Sequence, residues 1–276
     1  LSPIYWKVLQ SIPAFEIILH RVVWSFFFLI PLLLIQGRWH DFLAALKNRV
    51  ILVVLFSTAC FVGLNWFIYI WAVNHDHILQ ASLGYYISPL VNILLGMLFL
   101  KERLRPLQIL AVLLATLGVL QLTIYYGEFP WISLALAFSF GFYGLVRKVA
   151  PVGSLEGLTV ETLLLGVPAV IYLLKLDANG VGSFLRVSLQ IDAFLVGTAL
   201  VTALPLLLFT IGTRRLNLST IGFLQYVAPS CMFLLAVFFF HEPIEKVQVQ
   251  TFALVWVALI IYSTDSAVRY RRRAHP

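Results

Sequence analysis

The sequence predicts an all-α, polytopic membrane protein: ten helices in two inverted five-helix repeats, with the first helix largely missing from this chain. Composition is the first reason. Hydrophobic residues make up 61% of the chain and charged residues 11%, with a mean hydropathy of +0.96, whereas a soluble domain averages about 25% charged. Seven runs without Asp, Glu, Lys or Arg, at 50–75, 77–100, 106–127, 129–146, 193–213, 216–241 and 247–264, reach the ~18 residues a transmembrane helix needs. The third reason is a repeat at an offset of 140 residues. It lays Tyr86-Ile87-Ser88-Pro89 over Tyr226-Val227-Ala228-Pro229 and aligns Phe99 with Phe239, Glu102 with Glu242 and Gln108 with Gln248.

The elements follow in order. Spans are expected at 15–35, 50–73, 79–100, 105–124, 131–149, 158–175, 191–213, 219–240 and 246–265. Two of them, near 15–35 and 158–175, contain ionisable residues and are the weakest. The span at 131–149 opens the second repeat, and its counterpart would begin before residue 1, so Leu1 to about Leu9 reads as the tail of a first helix. The repeats are then 1–126 and 127–276, the second ending in a basic tail. No basic n-region or small-residue cleavage pattern of a signal peptide opens the chain. An odd number of spans per repeat turns the copies over in the bilayer, the construction many secondary transporters use for a site that opens to either side.

Charge distribution gives the orientation. With both termini cytoplasmic, 14 of the 19 Lys and Arg fall on the inner side, Arg147, Lys148 and the Arg271–Arg273 tail among them, while Lys7, Lys175, Arg186 and Lys246 fall outside and Arg21 within a span. This positive-inside bias accounts for the net charge of +7 without nucleic acid. The basic tail suits the anionic surface of the lipid bilayer. Cys60 and Cys231 lie within apolar spans and read as small hydrophobes.

Polar residues inside the spans are the candidates for function. Arg21 and Glu161 are repeat mates, and matched weak segments point to a transporter's site. Glu16, His20 and Trp24 share one helix face at intervals of four. They read either as cavity groups or as side chains snorkelling to the outer interface. Inversion places Arg21 and Glu161 toward opposite surfaces, which favours two separate gates over a direct pair. A second set is Asn65, Gln80, Tyr85, Tyr86, Asn92, Gln225 and Tyr226, able to line a cavity or to hydrogen-bond between helices. Pro89 and Pro229 are matched and read as kinks or as hinges for alternating access. Glu102 and Glu242 fit helix N-terminal capping better than coupling.

No enzyme motif appears. His241-Glu242-Pro243-Ile244-Glu245 lacks the second histidine of a zinc HExxH site, and His75-Asp76-His77 has no further metal ligands nearby in sequence. No Walker GK[ST] or GxSxG segment is present. No metal or cofactor is expected, and transport by this chain is not directly ATP-driven.

Several segments resemble the RarD subgroup of the EamA-type drug/metabolite transporter superfamily: Glu16-Ile17, His20-Arg21-Val22-Val23-Trp24-Ser25, Asn65-Trp66, Ile70-Trp71-Ala72-Val73-Asn74, Ala81-Ser82-Leu83-Gly84-Tyr85 and Pro89-Leu90-Val91-Asn92. Phe142-Tyr143-Gly144-Leu145-Val146-Arg147-Lys148, Glu161-Thr162, Gln225-Tyr226, Pro229 and Met232-Phe233-Leu234-Leu235-Ala236 extend the likeness nearly end to end. The resemblance implies the ten-helix drug/metabolite transporter fold, a bacterial plasma-membrane location and a name linked to chloramphenicol sensitivity. The expected function is a secondary transporter, an exporter, of a small organic solute, metabolite or drug, by alternating access around a central cavity. The alternative is a non-transporting membrane sensor or partner-binding subunit, which would more naturally carry a soluble domain. Proton coupling through Glu161 and the oligomeric state stay open.

Overall fold

The computed structural model describes Tyr5, residues 8–238 and residues 245–274. Their regular elements are helices: α1 (Ala14–Ile35), α2 (Trp39–Lys47), α3 (Arg49–Asn74), α4 (Ile78–Phe99), α5 (Pro106–Tyr126), α6 (Trp131–Val149), α7 (Ser154–Ala178), α8 (Leu189–Arg215), α9 (Leu218–Gln225), α10 (Val227–Phe238) and α11 (Lys246–Ala274). Among the described residues, nine stretches are long and apolar enough to cross a membrane, with α9 and α10 supplying one of them, Leu218–Leu235. The fold is that of a multi-pass membrane protein. The expected helical tail before residue 9 falls largely outside the described residues, as do Phe239, His241 and Glu242.

Three features depart from expectation. The short helix α2 lies between two spans where a plain loop was expected. The span expected at 219–240 is interrupted at Tyr226, where the N–H bonds three residues back to Phe223 rather than four. Pro229 contributes to the interruption, because it cannot donate to the Gln225 carbonyl and its ring crowds it, but a proline alone does not decide it. Its mate Pro89 sits inside the unbroken α4. Cys60 and Cys231 are exposed on their helices instead of packed within.

The chain divides into two compact units, Leu1–Ile70 with Val146–Arg215, and Trp71–Leu145 with Leu216–Pro276. Four helix starts recur at the 140-residue offset: 14 and 154, 49 and 189, 78 and 218, 106 and 246. Three pairs of mates, α1 with α7, α4 with α9 and α5 with α11, pack against one another within their units, each antiparallel. In the first unit, Phe15 at the start of α1 meets Tyr172 near the end of α7, ring centroids 5.2 Å apart. Leu29 and Leu33 at the other end of α1 join a core with Leu155 and Leu158 at the start of α7. In the second unit, α5 and α11 are pinned by Arg105–Asp265 at 2.7 Å and by Thr251 donating to the Gly118 carbonyl at 3.1 Å.

The same antiparallel rule holds for α4 against α9. Gly222 makes that crossing feasible, since a Cβ there would stand 2.5 Å from the Pro89 carbonyl oxygen. In membranes, where lipid is as apolar as leucine, such close backbone approach is a main source of helix association. Gln108 and Gln248, identical mates, take the same local task. Each side-chain oxygen accepts the backbone N–H three residues earlier, Arg105 at 3.1 Å and Glu245 at 3.3 Å.

Candidate functional site

The polar residues of the first unit gather into three arrangements. Helical spacing puts Glu16, His20 and Trp24 on one face of α1, and all three line a cavity of about 380 Å³. Its remaining wall comes from α7, through Val170, Leu173 and Leu174, and from the loop carrying Phe184 and Arg186. Glu16 and His20 are buried within the protein, 3% and 4% exposed. A buried carboxylate must be satisfied, and Glu16 is. One oxygen accepts the Ser183 backbone N–H at 2.7 Å and the other accepts the Ser183 hydroxyl at 2.9 Å. The loop is held from its other side by Asp192, which accepts the Leu185 N–H at 2.9 Å. Phe184 is thereby set 5.2 Å from the His20 ring and 5.7 Å from Trp24.

The second arrangement lies at the opposite end of the α1–α7 pair. Glu156, third residue of α7 as Glu16 is of α1, receives Arg38 Nη1 at 2.7 Å. Glu156 is buried, while Arg38, just beyond α1, is about half exposed. Glu156 is the repeat mate of Glu16, and the offset that paired Arg21 with Glu161 would have found it.

The third is a buried ion pair that a charge count along the chain does not reveal. Arg147, at the end of α6, is fully buried and stands 3.4 Å from Glu161 through Nε. The turn after α6 wraps the guanidinium, and Nη2 donates to the Ser154 carbonyl at 3.0 Å. Gly157 leaves the room, because a Cβ there would fall 2.0 Å from Nη1. Thr58 of α3 also donates to Glu161. Arg21 takes separate partners: its Nε donates to the Thr202 hydroxyl at 2.9 Å and its guanidinium lies 5.3 Å from the Trp66 ring centroid. Arg21 and Glu161 thus occupy matched slots with different neighbours. Asn65 is half-buried on α3.

The remaining candidates belong to the second unit. Asn92, fully buried, donates to Gln225 across the α4–α9 crossing. Tyr226 is also fully buried, and its hydroxyl donates to the Tyr86 carbonyl at 3.1 Å. Tyr86 itself lines a smaller cavity of about 150 Å³ with Ser82, Tyr126, Gln248 and Thr251. Tyr85 is 45% exposed on the face of α4. Glu102 caps a helix, but not the one that follows it. Its carboxylate accepts the backbone N–H groups of Leu218 and Ser219 at 2.6 and 2.9 Å, at the N-terminus of α9. That placement complements both the open N–H groups and the helix dipole. His75 and His77 stack on Trp71, 4.5 and 5.7 Å between centroids.

Comparison with known proteins agrees with this architecture. Residues 1–124 match the EamA-like transporter family. The chain is similar to protein RarD of Salmonella typhi, 46% identical over 99% of this chain and 93% of that one. It is also similar to the uncharacterized transporter YojE of Bacillus subtilis, 43% identical over 99% and 91%. A crystal structure of a protein only 17% identical shares the fold over 94% of this chain and 91% of its own, with a TM-score of 0.74.

Proposed function

Since the chain belongs to the EamA-like transporter family, in its RarD group, and so is a multi-pass bacterial membrane transporter, we propose that it is a secondary exporter of a small organic solute working by alternating access. The observation that carries this reading is the matched pair of latches on α1 and α7. Glu16 grips the segment after α7, and Glu156 grips the segment after α1. Helix α1 has 22 residues, so at 1.5 Å per residue the latches stand about 30 Å apart, one hydrocarbon thickness. Two repeats, 1–126 and 127–276, inverted in the bilayer, put such latches on opposite faces, the C-terminus being cytoplasmic. Releasing one while the other holds is what alternating access requires.

In this reading the Arg147–Glu161 pair is a fixed joint and not a proton carrier, because the guanidinium already balances the carboxylate. Arg21→Ala and Glu161→Gln each reduce transport strongly with the protein still inserted. Pro89 and Pro229 act as hinges of unequal stiffness, the second already interrupted at Tyr226. The test is flux from proteoliposomes loaded with a panel of labelled polar metabolites and drugs. Saturable, protein-dependent efflux of at least one solute, lost in Arg21→Ala, is expected. If no solute leaves faster than from empty liposomes, and the protein instead retains a partner through purification, the sensor alternative takes its place.

A further inference from the structure

The cavity on α1 holds more negative charge than positive, and the imbalance lies in how its carboxylates are bonded. Glu16 is buried, and both of its bonds come from Ser183, a backbone N–H at 2.7 Å and a hydroxyl at 2.9 Å. These donors are neutral. They fill two of the roughly four acceptor positions of a carboxylate and leave its charge uncancelled. Asp192, also buried, is likewise held by a neutral group, the Leu185 N–H at 2.9 Å. Arg186 is the cation among the lining residues, and it is half-exposed and already paired with Asp177 at 2.6 Å. Arg21 turns to Thr202 and Trp66 and does not line the cavity. His20, 3.9 Å from Glu16, adds no charge. Trp24 Nε1, a donor only, gives its hydrogen to His20 Nδ1 at 3.2 Å, which leaves the imidazole neutral.

The rest of the lining suits a small apolar body. Trp24 and Phe184 form a corner, their ring centroids 5.7 Å apart and their planes tilted by 46°, and Val23, Val170 and Leu173 supply aliphatic wall. The volume of about 380 Å³ falls within the range of small-molecule sites, roughly 300–1,000 Å³. We infer that this cavity binds an amphipathic organic cation, an ammonium on a small apolar body, with its charge beside Glu16 and the Trp24 and Phe184 rings. Two effects favour such a ligand. A buried carboxylate without a countercharge is costly, and the ammonium supplies one. Aromatic rings also attract a cation placed within about 6 Å of their centroids. A neutral solute gains neither, and an anion is repelled. The inference deepens the transporter reading and rests on it for the substrate class, but its test is binding and not flux.

The test is equilibrium binding to the whole protein, in nanodiscs of zwitterionic lipid at neutral pH, of benzylammonium, benzyl alcohol and benzoate, which share a ring and nearly a size. Empty nanodiscs are the control. Benzylammonium is expected to bind about ten-fold more tightly than benzyl alcohol, and benzoate more weakly than either. The exposed Arg186–Asp177 pair offers a way to change the field while leaving the buried residues in place. Arg186→Gln should tighten benzylammonium binding about three-fold and Asp177→Asn should weaken it about as much, with benzyl alcohol unmoved by either. A role in packing alone would move both ligands together. Glu16→Gln should erase the preference for the cation, and the Arg186 and Asp177 variants decide the matter if it does not fold. The inference is overturned by equal or tighter binding of benzyl alcohol or benzoate, or by a cation preference that outlives Glu16→Gln. Benzylammonium affinities that do not move in opposite directions in the Arg186 and Asp177 variants, or no saturable binding of any probe, would overturn it as well. Benzylammonium binding without flux of any solute would contradict the transporter reading alone. Flux of a solute without benzylammonium binding would contradict this inference alone.

Discussion

Glu16 and Glu156 stand 140 residues apart, each the third residue of its helix, each buried, and they bond differently. Glu16 satisfies both oxygens with the neutral donors of one serine, its backbone N–H and its hydroxyl. Glu156 gives one oxygen to a half-exposed guanidinium and leaves Oε2 buried without a partner among the described residues. The same slot of the repeat thus holds a short, dry latch at one end of the α1–α7 pair and a partly wet ion pair at the other. The chemistry at its two ends is free to differ, and here it sets unequal strengths.

The largest effect is expected where both ends are anchored. Removing one member of a buried ion pair strands its partner and costs about 3–5 kcal/mol. Arg147→Gln and Glu161→Gln should each lower thermal stability in detergent sharply, and the double variant should recover much of the loss. If the single variants melt like the parent, α7 is not held from this joint and the comparison of its two ends loses its fixed reference. Next comes Glu16→Gln. A hydrogen bond to a charged group contributes about 1.5–3 kcal/mol, so amide exchange across 180–188 should rise by more than ten-fold. Unchanged protection there would show that Asp192 alone holds the loop.

Smaller still is Glu156→Gln. Arg38 is half exposed, and such pairs contribute about 0.2–1 kcal/mol in water. Salt sharpens the contrast. Raising ionic strength to about 1 M shortens the screening length to about 3 Å, so exchange near residues 36–40 should quicken while that near 183 stays constant. Equal salt sensitivity at both ends would erase the distinction between them. A shift of comparable size, about 1 kcal/mol, is expected for Thr202→Val, which removes one acceptor from Arg21.

Much of this architecture is legible in the chain. Long uncharged runs fix the spans because a bilayer leaves few alternatives to a helix. The helix starts fall at the offset read from Tyr86–Pro89 and Tyr226–Pro229 because mates share local signals, such as Gln108 and Gln248 bonding back to the start of their own helices. The face of α1 was legible for the same reason, since Glu16, His20 and Trp24 are joined by helical spacing alone. Ser183 and Phe184 were not, because 167 residues separate Ser183 from Glu16 and a loop's sequence does not say where it docks. The burial of Arg147 is not legible either, because it stands beside Lys148 at a span's end, the usual place of a surface charge. Only the turn through Gly153 and the missing side chain at Gly157 admit it to the interior. Pro229 weakens the helix at Tyr226, yet Pro89 leaves α4 continuous, a difference the matched prolines do not explain.

The central claim is that the Glu16 and Glu156 latches face opposite sides of the membrane, and thiol accessibility tests it most directly. In a background with Cys60 and Cys231 replaced, single cysteines at Val181, in the loop that Glu16 holds, and at His40, beyond Arg38, would be exposed to a membrane-impermeant maleimide on intact cells. The account predicts labelling of Val181→Cys on intact cells and of His40→Cys only after permeabilisation. Labelling of both positions from the same side would contradict it.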